Sequence, residues 1–135
     1  MTAAVAPFLD SNILLYSYSN DARSSTAKRI TSEPYAISIQ VLNEFANVSI
    51  RKQNLDWDTV ENRLIAIVTL AETIVPLSME THMLGLEVAR RYRLQLYDGM
   101  IVAAALLADS ETLLSEDMHH GLVIEDRLTI RNPFV

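Results

Sequence analysis

Asp98-Gly99-Met100-Ile101-Val102-Ala103-Ala104-Ala105-Leu106-Leu107-Ala108 is followed closely by Thr112-Leu113-Leu114-Ser115-Glu116-Asp117. The first run is apolar around its whole circumference, so it reads as a helix buried on every side, with Asp98 as a favoured N-cap. The second reads as a short strand that ends in acids. A fully buried helix feeding a short strand is the repeating unit of a parallel sheet covered on both faces.

The same alternation extends outward. Val5-Ala6-Pro7-Phe8-Leu9 predicts a first strand that leads through Asp10 into a polar turn, and a short helix is expected around 22–30. Tyr35-Ala36-Ile37 predicts a second strand, and Ser38 is placed to cap the helix after it. An amphipathic helix is expected over about 58–72, with Val60, Leu64, Ile67, Val68 and Ala71 on one side. A strand over 73–77 follows, and then a helix that starts after Ser78 and runs to the arginine cluster at 90–93. Leu122-Val123-Ile124 and Leu128-Thr129-Ile130 are the last strand-like pieces. The expected architecture is a three-layer α/β/α sandwich around a parallel sheet of about five strands, one domain over residues 1–135.

Composition narrows the chemistry. There is no cysteine among the 135 residues, which excludes disulfides, thiolate metal sites and cysteine nucleophiles. Any metal must be held by oxygen or imidazole. The N-terminal residues 1–6 show neither a basic region nor a long apolar core, and no apolar run reaches the roughly 18 residues that span a bilayer. A cytoplasmic protein without membrane contact is the expectation. The net charge of −6 argues against holding nucleic acid by overall positive charge. Arg90-Arg91-Tyr92-Arg93 and Arg51-Lys52 could form a local basic surface, although each also suits a helix C-terminus.

Four carboxylates stand inside or at the ends of apolar segments: Asp10, Glu44, Asp98 and Asp117. Three have local explanations, since Asp98 could cap its helix and Asp10 and Asp117 could make Asx turns. Glu44 has none. Val41, Phe45 and Val48 put it on the apolar stripe of its helix, where no free N–H is offered and Arg51 is two turns away. Gathered together, two such carboxylates about 5 Å apart repel by roughly 3 kcal/mol at an effective dielectric of about 20, so the set takes up protons or binds a cation. An oxygen-only site suits Mg²⁺ or Mn²⁺. Glu116 and His119 form one Glu-x-x-His, but a di-iron bundle needs two. His82, His119 and His120 are given no metal role. Nor do the lysine of a receiver domain, the second acid of a dehalogenase-like phosphatase, or a glycine-rich phosphate loop occur at the required places.

In order along the chain, Phe8-Leu9-Asp10-Ser11-Asn12-Ile13-Leu14-Leu15-Tyr16, Val41-Leu42-Asn43-Glu44-Phe45, the Tyr97-to-Ala105 run, Leu114-Ser115-Glu116-Asp117-Met118 and Asn132-Pro133-Phe134 resemble the PIN domain, and within it the VapC-type ribonuclease toxins. The departures are small: Gly99 stands where other small residues are common, and Glu116 adds a charge that either raises cation affinity or repels RNA. The resemblance implies a PIN-like fold and metal-dependent endoribonuclease activity. Its acidic quartet maps onto Asp10, Glu44, Asp98 and Asp117, with Asn12 and Ser115 as polar supports. Asp10 and Asp98 are expected to hold Mg²⁺ or Mn²⁺, Asp117 to complete the shell, and Glu44 to orient a water or bind a second ion. The resemblance also implies a cognate antitoxin and a homodimer. The alternatives are a non-catalytic PIN-like module that binds RNA or protein, and a structure-specific DNA nuclease.

Overall fold

A computed structural model describes residues 5–135. The first four residues of the N-terminal segment read above for targeting lie outside the described residues. The elements run β1 (Phe8–Leu9), α1 (Ser11–Ser17), α2 (Ser24–Thr31), β2 (Ala36–Ser38), α3 (Ile39–Arg51), α4 (Trp57–Leu70) and β3 (Thr73–Val75). They continue with α5 (Met79–Tyr92), α6 (Leu96–Leu107), β4 (Thr112–Leu114), β5 (Val123–Ile124) and β6 (Leu128–Arg131). The sheet has six strands in the order β3-β2-β1-β4-β6-β5. Five are mutually parallel, as expected, and β5 adds an antiparallel edge beside β6. Both residues of β1 and all three of β2 are buried, which is why these strands read as continuous apolar runs.

Helix α6 is the central layer-forming element. Eight consecutive residues from Gly99 to Leu106 are buried in it, and it packs against α5, β2, β3 and β4. Its approach to α5 is close because both helices carry glycine at the crossing. A Cβ at Gly99 would stand 2.7 Å from Ala89 Cβ and 2.7 Å from the Gly85 carbonyl oxygen, and one at Gly85 would run into Met100 Sδ. Gly99→Ala is therefore expected to destabilise by about 1–3 kcal/mol through overpacking, although alanine is the better helix former. Urea denaturation measures this directly.

Three helix starts follow local chemistry. Ser38 caps α3 and Ser78 caps α5, each hydroxyl accepting from the N–H three residues on, as expected; Asp56 does the same for α4. Two expectations fail. Asp10 does not lead into a turn: its carboxylate accepts from Ser11 N–H at 2.7 Å and opens α1, whose Ile13 and Leu14 are buried. Asp98 is not the cap of α6, because that helix starts at Leu96 after Gln95, leaving Asp98 inside the first turn.

Strand order reverses at β1, which lies between β2 and β4. In open parallel sheets the crevice beside the strand carboxyl ends at such a point is the usual ligand site. β1 delivers Asp10 there, β4 delivers Ser115 and Asp117, β2 hands over to the helix carrying Glu44, and α6 enters from the same edge with Asp98 in its first turn.

Candidate active site

Asp10 is the floor of the site. Its residue is 4% exposed, yet its carboxylate has only neutral partners. Ser115 Oγ donates to Oδ2 at 2.7 Å, Ser11 N–H to Oδ1 at 2.7 Å, and Asn12 Nδ2 reaches Oδ2 at 3.4 Å. Burial pushes the Asp10 carboxyl up to about 6 against the pull of the Ser115 hydroxyl and Ser11 N–H, with the Glu44 and Asp98 charges adding to the rise.

Around Asp10 two of the other three acids, Asp117 and Glu44, are tied in by short polar links. Asn12 Nδ2 also donates to Asp117 Oδ2 at 3.2 Å, while Asn12 Oδ1 accepts from Glu116 N–H at 3.2 Å. One amide thus fixes the loop after β4 against α1. Ser115 Oγ accepts from the N–H groups of Asp117 and Met118, both at 3.3 Å, so the same hydroxyl shapes that loop while it serves Asp10. Ser11 Oγ donates to Glu44 Oε1 at 3.2 Å, and Gln40 Nε2 to Glu44 Oε2 at 3.1 Å. Asp98 is half-buried, and its carboxyl is raised from its ordinary value, first by burial and then by the Glu44 and Asp117 charges.

The structure thus brings Asp10, Glu44, Asp98 and Asp117 to one edge, with Asn12 and Ser115 between them. Two details differ from the sequence reading. Glu44 is half-buried at the border of its helix's apolar stripe rather than within it, and its partners are Ser11 and Gln40, not Arg51. Asp117 is exposed. Among the described residues no ion pair involves any of the four. Like charges held only by hydroxyl, amide and backbone N–H donors form a hard-oxygen set suited to a divalent cation. The four do not close into a cage, however: among the described residues no three acidic or histidine side chains form a ready metal-holding group.

Glu116 is separated from this set by its partners. Arg23 Nε lies 2.8 Å from Glu116 Oε2, and Tyr16 Oη donates to Glu116 Oε1 at 2.6 Å. Arg23 also covers the Tyr16 ring, 4.8 Å from its centroid, while Phe134 meets that ring edge-on at 5.3 Å. The Asn132-Pro133-Phe134 tail thereby buttresses the loop bearing Asp117; Asn132 N–H is held by His120 Nδ1 at 2.8 Å. The expected choice for Glu116, between aiding a cation and repelling RNA, gives way to a third role: its charge is used up by Arg23.

Sequence reasoning missed Ser11, Gln40, Arg23 and Tyr16. Gln40, one turn before Glu44 on the same helix, was legible from spacing. Arg23 was not, because its partner is remote in sequence. Two open grooves meet at Glu44. One, of about 440 Å³, is lined by Ser11, Asn12, Tyr16, Glu44, Lys52 and Asp117. The other, of about 510 Å³, is lined by Gln40, Asn43, Glu44, Asn47 and Tyr97. Arg51, Arg90 and Arg91 lie in the last turns of their helices, but Lys52 faces the first groove.

The PIN domain family model matches residues 8–121. No curated protein sequence matches the chain. Among solved structures, a toxin–antitoxin complex from Klebsiella pneumoniae is similar at TM-score 0.70 and 22% identity, covering 95% of this chain and 98% of that one. VapC20 of Mycobacterium tuberculosis, described as a sarcin–ricin-loop-cleaving toxin, is similar at TM-score 0.63 and 17% identity, over 80% of this chain and 87% of that one. VapBC2 of Rickettsia felis, solved on a DNA fragment from its promoter, gives TM-score 0.60 at 20% identity over 94% and 98%. At these identities the likeness is one of fold.

Proposed function

The chain belongs to the PIN domain family, and from that premise we propose that it is a metal-dependent endoribonuclease and the toxin of a toxin–antitoxin pair. One observation carries the reading: four carboxylates meet at the strand-order reversal with no cationic side chain among their partners in the described residues. Asp10, Asp98 and Asp117 hold Mg²⁺ or Mn²⁺, and a cation there supplies Lewis-acid polarisation of the phosphodiester and neutralises developing charge. Ser115 and Asn12 orient Asp10 and Asp117 for that task. Glu44, aimed by Ser11 and Gln40, orients the attacking water and accepts its proton. Lys52 attracts the RNA backbone into the groove beside the acids.

The toxin assignment, a cognate antitoxin and a homodimer rest on the family and on the similarity to toxin–antitoxin structures. A cytoplasmic setting fits an RNA substrate and a chain without cysteine. Among the described residues no helix is long and apolar enough to cross a membrane. The purified protein is expected to cut single-stranded RNA internally when given Mn²⁺ or Mg²⁺ and to stop when EDTA is added. RNA left intact under both conditions, or cutting indifferent to EDTA, overturns the proposal; cutting of DNA alone replaces the substrate.

A further inference from the structure

The groove that Glu44 shares with Gln40, Asn43, Asn47 and Tyr97 has a chemistry of its own. Gln40, Asn43, Glu44 and Asn47 fall on one face of α3, three or four residues apart. Across from them stands Tyr97, 62% exposed, one residue before Asp98 in the first turn of α6. Among the described residues no lysine, arginine or histidine lines this groove, and Glu44 is the one charged side chain that does. A phosphate would meet a carboxylate there with no counter-charge. A neutral heteroaromatic ring would meet a free phenol face and amides that both donate and accept hydrogen bonds.

We propose that this groove is a nucleobase subsite for single-stranded RNA, with Tyr97 stacking on one base next to the bond held at the acids and the Asn43 and Asn47 amides bonding its edge. The proposal rests on the ribonuclease reading and deepens it by naming where base preference arises. Asparagine and glutamine amides pair with base edges, and exposed aromatic rings are the usual platform for unstacked RNA bases. Gln40 is committed to Glu44 and so couples base binding to the carboxylate that faces the cut bond.

The test uses a randomised pool of single-stranded RNAs cut in Mn²⁺, with the cut ends sequenced, and then one defined RNA from the preferred set for kinetics. Wild type is expected to show a preference at one position beside the cut. Tyr97→Ala should raise KM about tenfold or more with kcat nearly unchanged, and Tyr97→Phe should restore KM because the ring, not the hydroxyl, stacks. Asn43→Ala should flatten the preference at that position alone. If wild type cuts RNA while Tyr97→Ala and Asn43→Ala leave KM and preference unchanged, this inference fails and the ribonuclease reading stands. If wild type cuts no RNA, both fall.

Discussion

Asp98→Asn is expected to lower Mn²⁺-dependent RNA cleavage by about a thousand-fold, roughly 4 kcal/mol of barrier, while the protein remains folded. Asp98 differs from its neighbours in having no structural duty: it is not the cap of α6, and no hydrogen bond to its side chain is present among the described residues. Half-buried and raised by burial and by Glu44 and Asp117, it is a charge the fold tolerates rather than uses. Asparagine keeps its shape and removes one of four like charges. Thermal denaturation in EDTA should therefore show the variant at least as stable as wild type, so that lost cleavage is read as lost chemistry. A variant that cuts RNA at the wild-type rate removes Asp98 from the cation site.

The second large effect is on stability against pH. Asp10 loses its proton near its ordinary value of 3.8 when unfolded but only at about 6 when folded. Between those values the native state binds more protons than the unfolded state, so stability falls as pH rises through the window and is best kept below it. At full width the loss is about 3 kcal/mol. Asp98, raised for similar reasons, adds in the same direction. Asp56 opposes them, because its bonds to Thr59 lower its carboxyl and favour the folded state once ionised. Comparing wild type with Asp10→Asn cancels that opposing contribution. In EDTA the variant should gain on wild type from about pH 4 to about pH 7 in urea denaturation, and Mn²⁺ at the upper end should recover the difference for wild type only. Parallel curves would mean that Asp10 ionises in the fold as it does in water.

The parts of this fold legible from sequence are those set by neighbours along the chain. The circumference of α6 and the caps at Ser38 and Ser78 could be read because each is a pattern within a turn or two. Helix α1 was hidden because Asp10 has two roles, a strand end and a cap, and because only seven residues follow it. The antiparallel β5 was hidden because strand direction depends on the partner, not on the strand's own residues. At the site, the four acids stood out as charges in apolar surroundings, but their partners did not. Arg23 reaches Glu116 across most of the chain, and Asn12 reaches Asp117 over a similar span. Nothing local to Glu116 marks it as neutralised, which is why its role was open until the fold was in view.

Whether these acids bind a cation can be measured by direct titration without RNA. Mn²⁺ added at about pH 7.5 and followed by the electron paramagnetic resonance signal of the free ion should show saturable binding to wild type. The Asp10→Asn, Asp98→Asn double variant should leave nearly all of the ion free while still unfolding cooperatively on heating. Folded wild type that leaves the Mn²⁺ signal undiminished, or a double variant that binds as wild type does, would mean that these acids do not form a cation site.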